Sequence, residues 1–167
     1  MNFMVVVDQN YGIGKNNKLL THLTDDLKYF RQTTLGKVVV MGRRTLESLP
    51  GGKAFDNRVN IVMTRDLSFN HEGAIIVHSL EDLFSTLAAY PSDDVFIVGG
   101  GQIYNMLYPY CRYGYITKIH EDLTADTKID VIDELPNWEL VWQSEEKENN
   151  GHTFVWTRYE NMMVKAY

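Results

Sequence analysis

The chain has 167 residues, 44% of them apolar and 23% charged, which fits one soluble domain around one core. A net charge of −6 disfavours nucleic acid and anionic membrane as partners, so any bound anion needs a local basic patch. Cys111 is the one cysteine, which excludes an internal disulfide and a multi-thiolate metal site and fits a reducing compartment.

The chain opens on "MNFMVVVD", without a basic leader or a long apolar stretch, and no apolar run approaches the ~20 residues of a membrane helix. A cytoplasmic location is expected. Apolar runs recur at "FMVVV" (3–7), "VVVM" (38–41), "NIVM" (60–63), "AIIV" (74–77) and "VFIV" (95–98). They are continuous and rich in β-branched residues, as in strands buried on both faces of a parallel sheet. Helical patterns lie between them. Residues 24–35 space Leu23, Leu27 and Phe30 along one face, with Thr24 as the expected N-cap. "SLEDLFSTLAAY" (79–90) opens with a capping-box pattern at Ser79 and Asp82, and "GQIYNMLYPY" (101–110) follows a glycine cluster. In the tail, "WELVWQS" (138–144) and "HTFVWTRYE" (152–160) alternate and flank Asn150-Gly151, which predicts an antiparallel hairpin. The expected fold is a single α/β domain over residues 1–167, with a mostly parallel sheet and an antiparallel edge.

Asp25 and Asp26 open the first helix. At 100° per residue, Leu23, Leu27 and Phe30 fall within roughly 60° of one another. Asp26 lies about 65° from their mean direction, at the border of the apolar face, and Asp25 lies on the far side beside Lys28. Asp25 is therefore expected in water and Asp26 in a cleft. Two readings of Asp26 stay open on the helix alone. It can complement the helix dipole as a first-turn acid. It can also be a half-buried carboxylate whose proton affinity is raised by an apolar wall, and so bind or protonate a ligand.

Ligands of open α/β sheets sit beyond the carboxyl ends of the strands. Three such ends carry chemistry here: Gly42-Arg43-Arg44-Thr45, Thr64-Arg65 and Gly99-Gly100-Gly101. Glycines permit close backbone approach to a pyrophosphate, although neither "GGGQIY" nor "GIGKNN" is a Rossmann fingerprint. Arg43, Arg44 and Arg65 with two hydroxyls make a candidate dianion site, which favours NADP over NAD. Scattered surface arginines are the alternative. His22, His71, His78, His120 and His152 lack ligand spacing, so no metal site is expected, and no nucleophile elbow occurs.

Taken in order, "DQNYGIGKNNKL", "HLTDDLKYFRQTTLGK", "VVVMGRRTLESLP", "RVNIVMTR", "VFIVGGGQIY", "YITKI" and "DTKID" resemble dihydrofolate reductases over essentially the whole chain. The resemblance implies a central eight-stranded, mostly parallel sheet flanked by helices. It also implies a monomer that reduces dihydrofolate to tetrahydrofolate with NADPH in one-carbon metabolism, and a target for antifolates. It places the family's essential carboxylate on Asp26, assisted by the hydroxyl of Thr117. Leu27, Phe30 and Leu49 match apolar walls around the pterin and benzoyl groups, and Met4, Val5 and Val98 match its pterin end. Arg58 matches the clamp on the glutamate tail. Val6, Ile13, Gly14 and Leu19 match the nicotinamide surroundings. Gly42, Arg43, Arg44, Thr45, Thr64 and Arg65 match the phosphate surroundings, and Gly99, Gly100, Gly101, Gln102, Ile103 and Tyr104 match the glycine turn with a cis peptide and the helix start after it.

One departure stands out: Leu20-Thr21 replaces the family's usual Pro-Trp. That tryptophan packs under the active-site loop and helps hold a water near the carboxylate, so looser loop closure is expected. The alternatives are a pyrimidine reductase of the same architecture in riboflavin synthesis and a non-catalytic NADP- or pterin-binding protein.

Overall fold

Burial on both faces accounts for the continuous apolar runs. The computed structural model describes all 167 residues. Its first strands are β1 (Asn2–Val7), β2 (Gly12–Lys15) and β3 (Lys18–Leu19), followed by helix α1 (Thr24–Thr34). Next come β4 (Val38–Gly42), α2 (Arg43–Ser48), β5 (Val59–Met63), β6 (Ile75–Val77) and α3 (Leu80–Leu87). The second half holds β7 (Val95–Ile97), α4 (Gly101–Leu107), β8 (Tyr113–Ile119) and β9 (Thr127–Lys128). It ends with β10 (Trp138–Gln143), β11 (Lys147–Asn149) and β12 (His152–Asn161).

The main sheet runs β10-β12-β8-β1-β7-β4-β5-β6. The strands from β8 to β6 are parallel, and β12 and β10 continue the sheet antiparallel. These are the eight expected strands; a ninth, β11, pairs with β12. The tight hairpin is therefore β11–β12. Its turn residues Asn150 and Gly151 take φ of 52° and 77°, the left-handed backbone that an Asn-Gly turn requires. No helix is long and apolar enough to cross a membrane.

Alternation along β1 separates two layers. Phe3, Val5 and Val7 enter the larger core with Val38, Val40, Ile61, Ile97 and Ile116. Met4 packs on the other face with Val39, Met41, Val62 and Phe96, and Val6 packs there with Leu23 and Phe154. That second face carries α1 and the cleft.

Several local details differ from expectation. The N-cap of α1 is Leu23, with no side-chain cap, and Thr24 is already helical. Ser79 does cap α3, accepting from the Asp82 N–H, while the Asp82 carboxylate accepts from the N–H of His78. Helix α2 and the small sheet β3-β2-β9 are additions to the expected elements. The sheet's two- to four-residue strands carry glycine and lysine rather than an apolar alternation. The loop over the cleft is nonetheless pinned. Buried Asp8 accepts from the N–H groups of Asn10, Gly12 and Leu123.

Candidate active site

Register brings three strands to one row: Val6 of β1 lies beside Thr117 of β8, which lies beside Trp156 of β12. Neighbours in a row face the same side of a sheet, and Asp26 of α1 meets this row. Its Oδ1 accepts from Thr117 Oγ1 at 2.6 Å and from Trp156 Nε1 at 2.9 Å. Asp26 is 6% exposed, whereas Asp25 faces water, as the helix rotation predicts. Both donors meet Oδ1; Oδ2 has no protein donor and keeps solvent access. Burial pushes the Asp26 carboxyl up from its ordinary value, and the bonds from Thr117 and Trp156 pull it partly back. Burial is the larger of the two opposing effects, so the net displacement is upward.

The cleft beside Asp26 is apolar. Val6, Ile13, Leu19, Leu20, Leu23 and Leu27 line it, with Thr21 as the other polar side chain. Leu27 of α1 is 46% exposed and Leu19 of β3 59%, so these sides of the cleft are open walls rather than core. Farther along α1, Phe30 packs against Phe55 with tilted rings 5.3 Å apart, and Leu49 packs with them on the Met4 layer. Val98 belongs to the same layer. Val5 is placed apart from these: its side chain lies in the opposite layer, so only its main chain can reach a ligand here.

Arg58 sits at the far end of α1. Its Nε donates to Thr34 Oγ1 at 2.9 Å and Nη1 donates to the Asp56 carbonyl at 2.8 Å. The guanidinium lies 5.2 Å from the Phe55 ring centroid. Neutral oxygens and an aromatic face orient it without neutralising its charge, which suits a carboxylate ligand.

On the strand-end side, Gly99 takes φ of 121° and joins Gly100 by a cis peptide. A Cβ at Gly99 would stand 3.3 Å from the Tyr104 ring and 3.6 Å from Thr45 Oγ1, and one at Gly42 would stand 3.2 Å from Ile103. The positive φ calls for glycine at Gly99, a side chain at Gly42 would have to displace Ile103, and the bare cradle fits a phosphate-bearing cofactor. Gly101 and Ile103 are half-buried beside it and Gln102 is exposed. The Tyr104 side chain is not free: it is buried and donates to the Met4 carbonyl at 2.7 Å.

The three arginines divide. Arg43 Nη1 pairs with Asp66 at 2.9 Å, its Nε lies 3.5 Å from Glu47, and the guanidinium stacks 4.4 Å over Phe69. It is committed within the protein. Arg44 and Arg65 are exposed at the ends of β4 and β5, and neither forms an ion pair. His78, which lacks ligand spacing in the sequence, lies at the end of β5 beside Arg65: its Nδ1 bonds the Thr64 carbonyl at 2.8 Å.

This arrangement has relatives. The family model described as "Dihydrofolate reductase" matches residues 1–161. The chain belongs to the dihydrofolate reductase family. It is similar to the dihydrofolate reductase of Bacillus subtilis (strain 168), at 36% identity over 162 residues, 96% of this chain and 94% of that one. It is similar to that of Staphylococcus haemolyticus at 35% identity over 166 residues, covering 97% and 96%. A solved dihydrofolate reductase from Enterococcus faecalis, complexed with NADP(H) and RAB-propyl, superposes with a TM-score of 0.85 at 31% identity, covering 96% and 95%. The chain is accordingly an oxidoreductase, and its reaction is the reduction of dihydrofolate to tetrahydrofolate with NADPH. The family removes the riboflavin-pathway and non-catalytic alternatives.

The raised proton affinity of Asp26 predicts a pH-dependent stability. The folded carboxyl holds its proton to a higher pH than the unfolded one. Its ionisation therefore costs nothing below the ordinary carboxylate range, costs progressively more as pH rises through the folded value, and costs most above it. Asp26→Asn keeps an oxygen that can accept from Thr117 and Trp156 but carries no charge. In thermal unfolding it is expected to melt above the parent at pH 7, with the gap closing below about pH 4. A melting temperature at or below the parent's at pH 7 contradicts the burial cost.

Proposed function

We propose that Asp26 is the catalytic carboxylate and that the row of Val6, Thr117 and Trp156 forms the floor on which the pterin is reduced. The observation that carries this reading is a buried carboxylate with one oxygen held by protein and the other open to an apolar cleft. A pterin edge presents an amino group and a ring nitrogen, and Oδ2 supplies the acceptor for them. Leu27, Phe30, Leu49, Met4 and Val98 wall the ring and benzoyl groups, Val5 contributes main chain, and Arg58 takes the glutamate carboxylate.

Bound NADPH would supply the hydride that C6 of dihydrofolate accepts. Val6, Ile13, Gly14 and Leu19 would surround its nicotinamide. Gly42, Thr45, Thr64 and the segment of Gly99, Gly100, Gly101, Gln102, Ile103 and Tyr104 would border its diphosphate. Arg44 and Arg65 would hold its 2′-phosphate, with Arg43 steadying the loop through Asp66. The protein's part in the reaction is at N5, which must gain a proton to make C6 electrophilic. Asp26 polarises the pterin from its amino edge and raises the proton affinity at N5, and water delivers the proton. We also read the chain as a cytoplasmic monomer without a nucleic-acid partner, because the whole proposed site comes from one acidic chain with one buried thiol.

Two measurements test these assignments. Asp26→Asn is expected to slow hydride transfer at neutral pH by about 100-fold or more, with NADPH affinity nearly unchanged, while Asp25→Asn does little. Equal effects of the two replacements contradict the assignment. Arg44→Ala and Arg65→Ala should each reduce the preference for NADPH over NADH by about tenfold. An unchanged preference removes the 2′-phosphate site.

A further inference from the structure

Trp156 is a residue that neither sequence pattern nor family resemblance assigns to the site, and its place is set with unusual completeness. Its main-chain N–H and carbonyl both bond to Ser144, with N to Ser144 Oγ at 2.9 Å and Ser144 N to the Trp156 carbonyl at 2.8 Å. Both backbone groups therefore point away from β8. Thr117 and Trp156 must then be a non-hydrogen-bonded pair, in which facing side chains stand closest, with Cα atoms about 4.5 Å apart. That spacing brings a hydroxyl and an indole N–H to the same carboxylate oxygen.

The indole itself is clamped. Tyr29, one turn beyond Asp26 on α1, packs on it at 4.6 Å between centroids with 34° between planes. Phe154 meets it edge-on at 5.9 Å. The Lys147 ammonium lies 5.0 Å from its centroid. Such a cation draws electron density from the ring and strengthens the N–H as a donor.

We propose that Trp156 is a positioning residue for the reaction: with Thr117 it fixes Asp26 by Oδ1, so that Oδ2 is left aimed at the pterin. This deepens the reading of Asp26 given above and rests on it. It also gives a physical account of how the chain does without a large residue at Thr21. An indole already sits on the carboxylate, delivered by a core strand rather than by the loop.

The ionisable groups around Asp26 leave this contact as a readable one. Tyr29 on α1 and Tyr104 on α4 both feel the Asp26 charge, and burial raises the pKa of each. Both stay protonated across the neutral range. Tyr115 on β8 and Arg158 on β12 act on Tyr29, and Lys147 on β11 acts on the indole. What offsets burial at Asp26 is two neutral donors and no cation. Removing one donor therefore weakens the ionised form directly.

The test follows Asp26 and Trp156 by NMR in the intact protein, with the Asp26 carboxyl carbon and the Trp156 indole N–H assigned. In the parent, both signals are expected to move with a common midpoint, and the indole movement to vanish in Asp26→Asn. In Trp156→Phe, the Asp26 midpoint moves to higher pH. Single-turnover reduction of dihydrofolate at neutral pH falls about tenfold, and NADPH affinity is unchanged. An Asp26 midpoint that does not move in Trp156→Phe, with or without a loss of rate, overturns the proposal. So does an indole signal indifferent to Asp26, a measurement that needs no substitution at Trp156 should that variant fail to fold. A parent that leaves dihydrofolate unreduced while its two signals still titrate together refutes the reading of Asp26 and not the contact itself.

Discussion

A carboxylate stays in an apolar wall because two neutral donors on adjacent strands hold one of its oxygens. This constraint organises the rest of the structure. Thr117 and Trp156 can converge on Asp26 Oδ1 only if β8 and β12 pair in their observed register, since a slip of β12 by one residue would turn the indole to the opposite layer while Thr117 stayed in place. Helix α1 must dock so that Asp26, rather than Asp25, meets that row. Leu23 anchors its start in the core, and the Thr34 hydroxyl holds Arg58 at its other end. In the proposed assignment one helix would thereby span the substrate site, with a carboxylate for the heterocycle near its start and a cation for the acidic tail beside its end.

The cofactor side follows a different logic. Little here is held by side chains reaching into a cavity. The chain instead keeps side chains off the tight backbone at Gly42 and Gly99, and leaves free cations at the rim. Arg43 shows why position in a motif is a poor guide to role. It stands between Gly42 and Arg44, yet its charge is spent on Asp66 and Glu47. The arginines without acidic partners are the ones able to gain from a dianion in a protein of net charge −6.

Much of this was legible in the sequence where a local rule sufficed. Runs of β-branched residues marked the buried strands, Asn150-Gly151 marked a left-handed turn, Ser79 marked a helix cap, and simple rotation separated Asp26 from Asp25. What escaped depended on contacts across the chain. Trp156 lies 130 positions from Asp26, and its role follows only from a strand register that no local pattern announces. Thr24 looked like a cap because threonine caps well, but the strand-to-helix path starts the helix one residue earlier, at a leucine whose burial outweighs the missing cap. The β3-β2-β9 sheet was invisible because its strands are too short to show a period. The pairing of Arg43 with Asp66 needed the turn after β5, where Asp66 also accepts from Ser68.

A crystal structure with dihydrofolate and NADP⁺ bound tests the central claim most directly. The account predicts the amino edge of the pterin at about 3 Å from Asp26 Oδ2, with Thr117 and Trp156 still donating to Oδ1. A pterin turned away from Asp26, or an indole N–H that has left the carboxylate to bond the ligand, would contradict it.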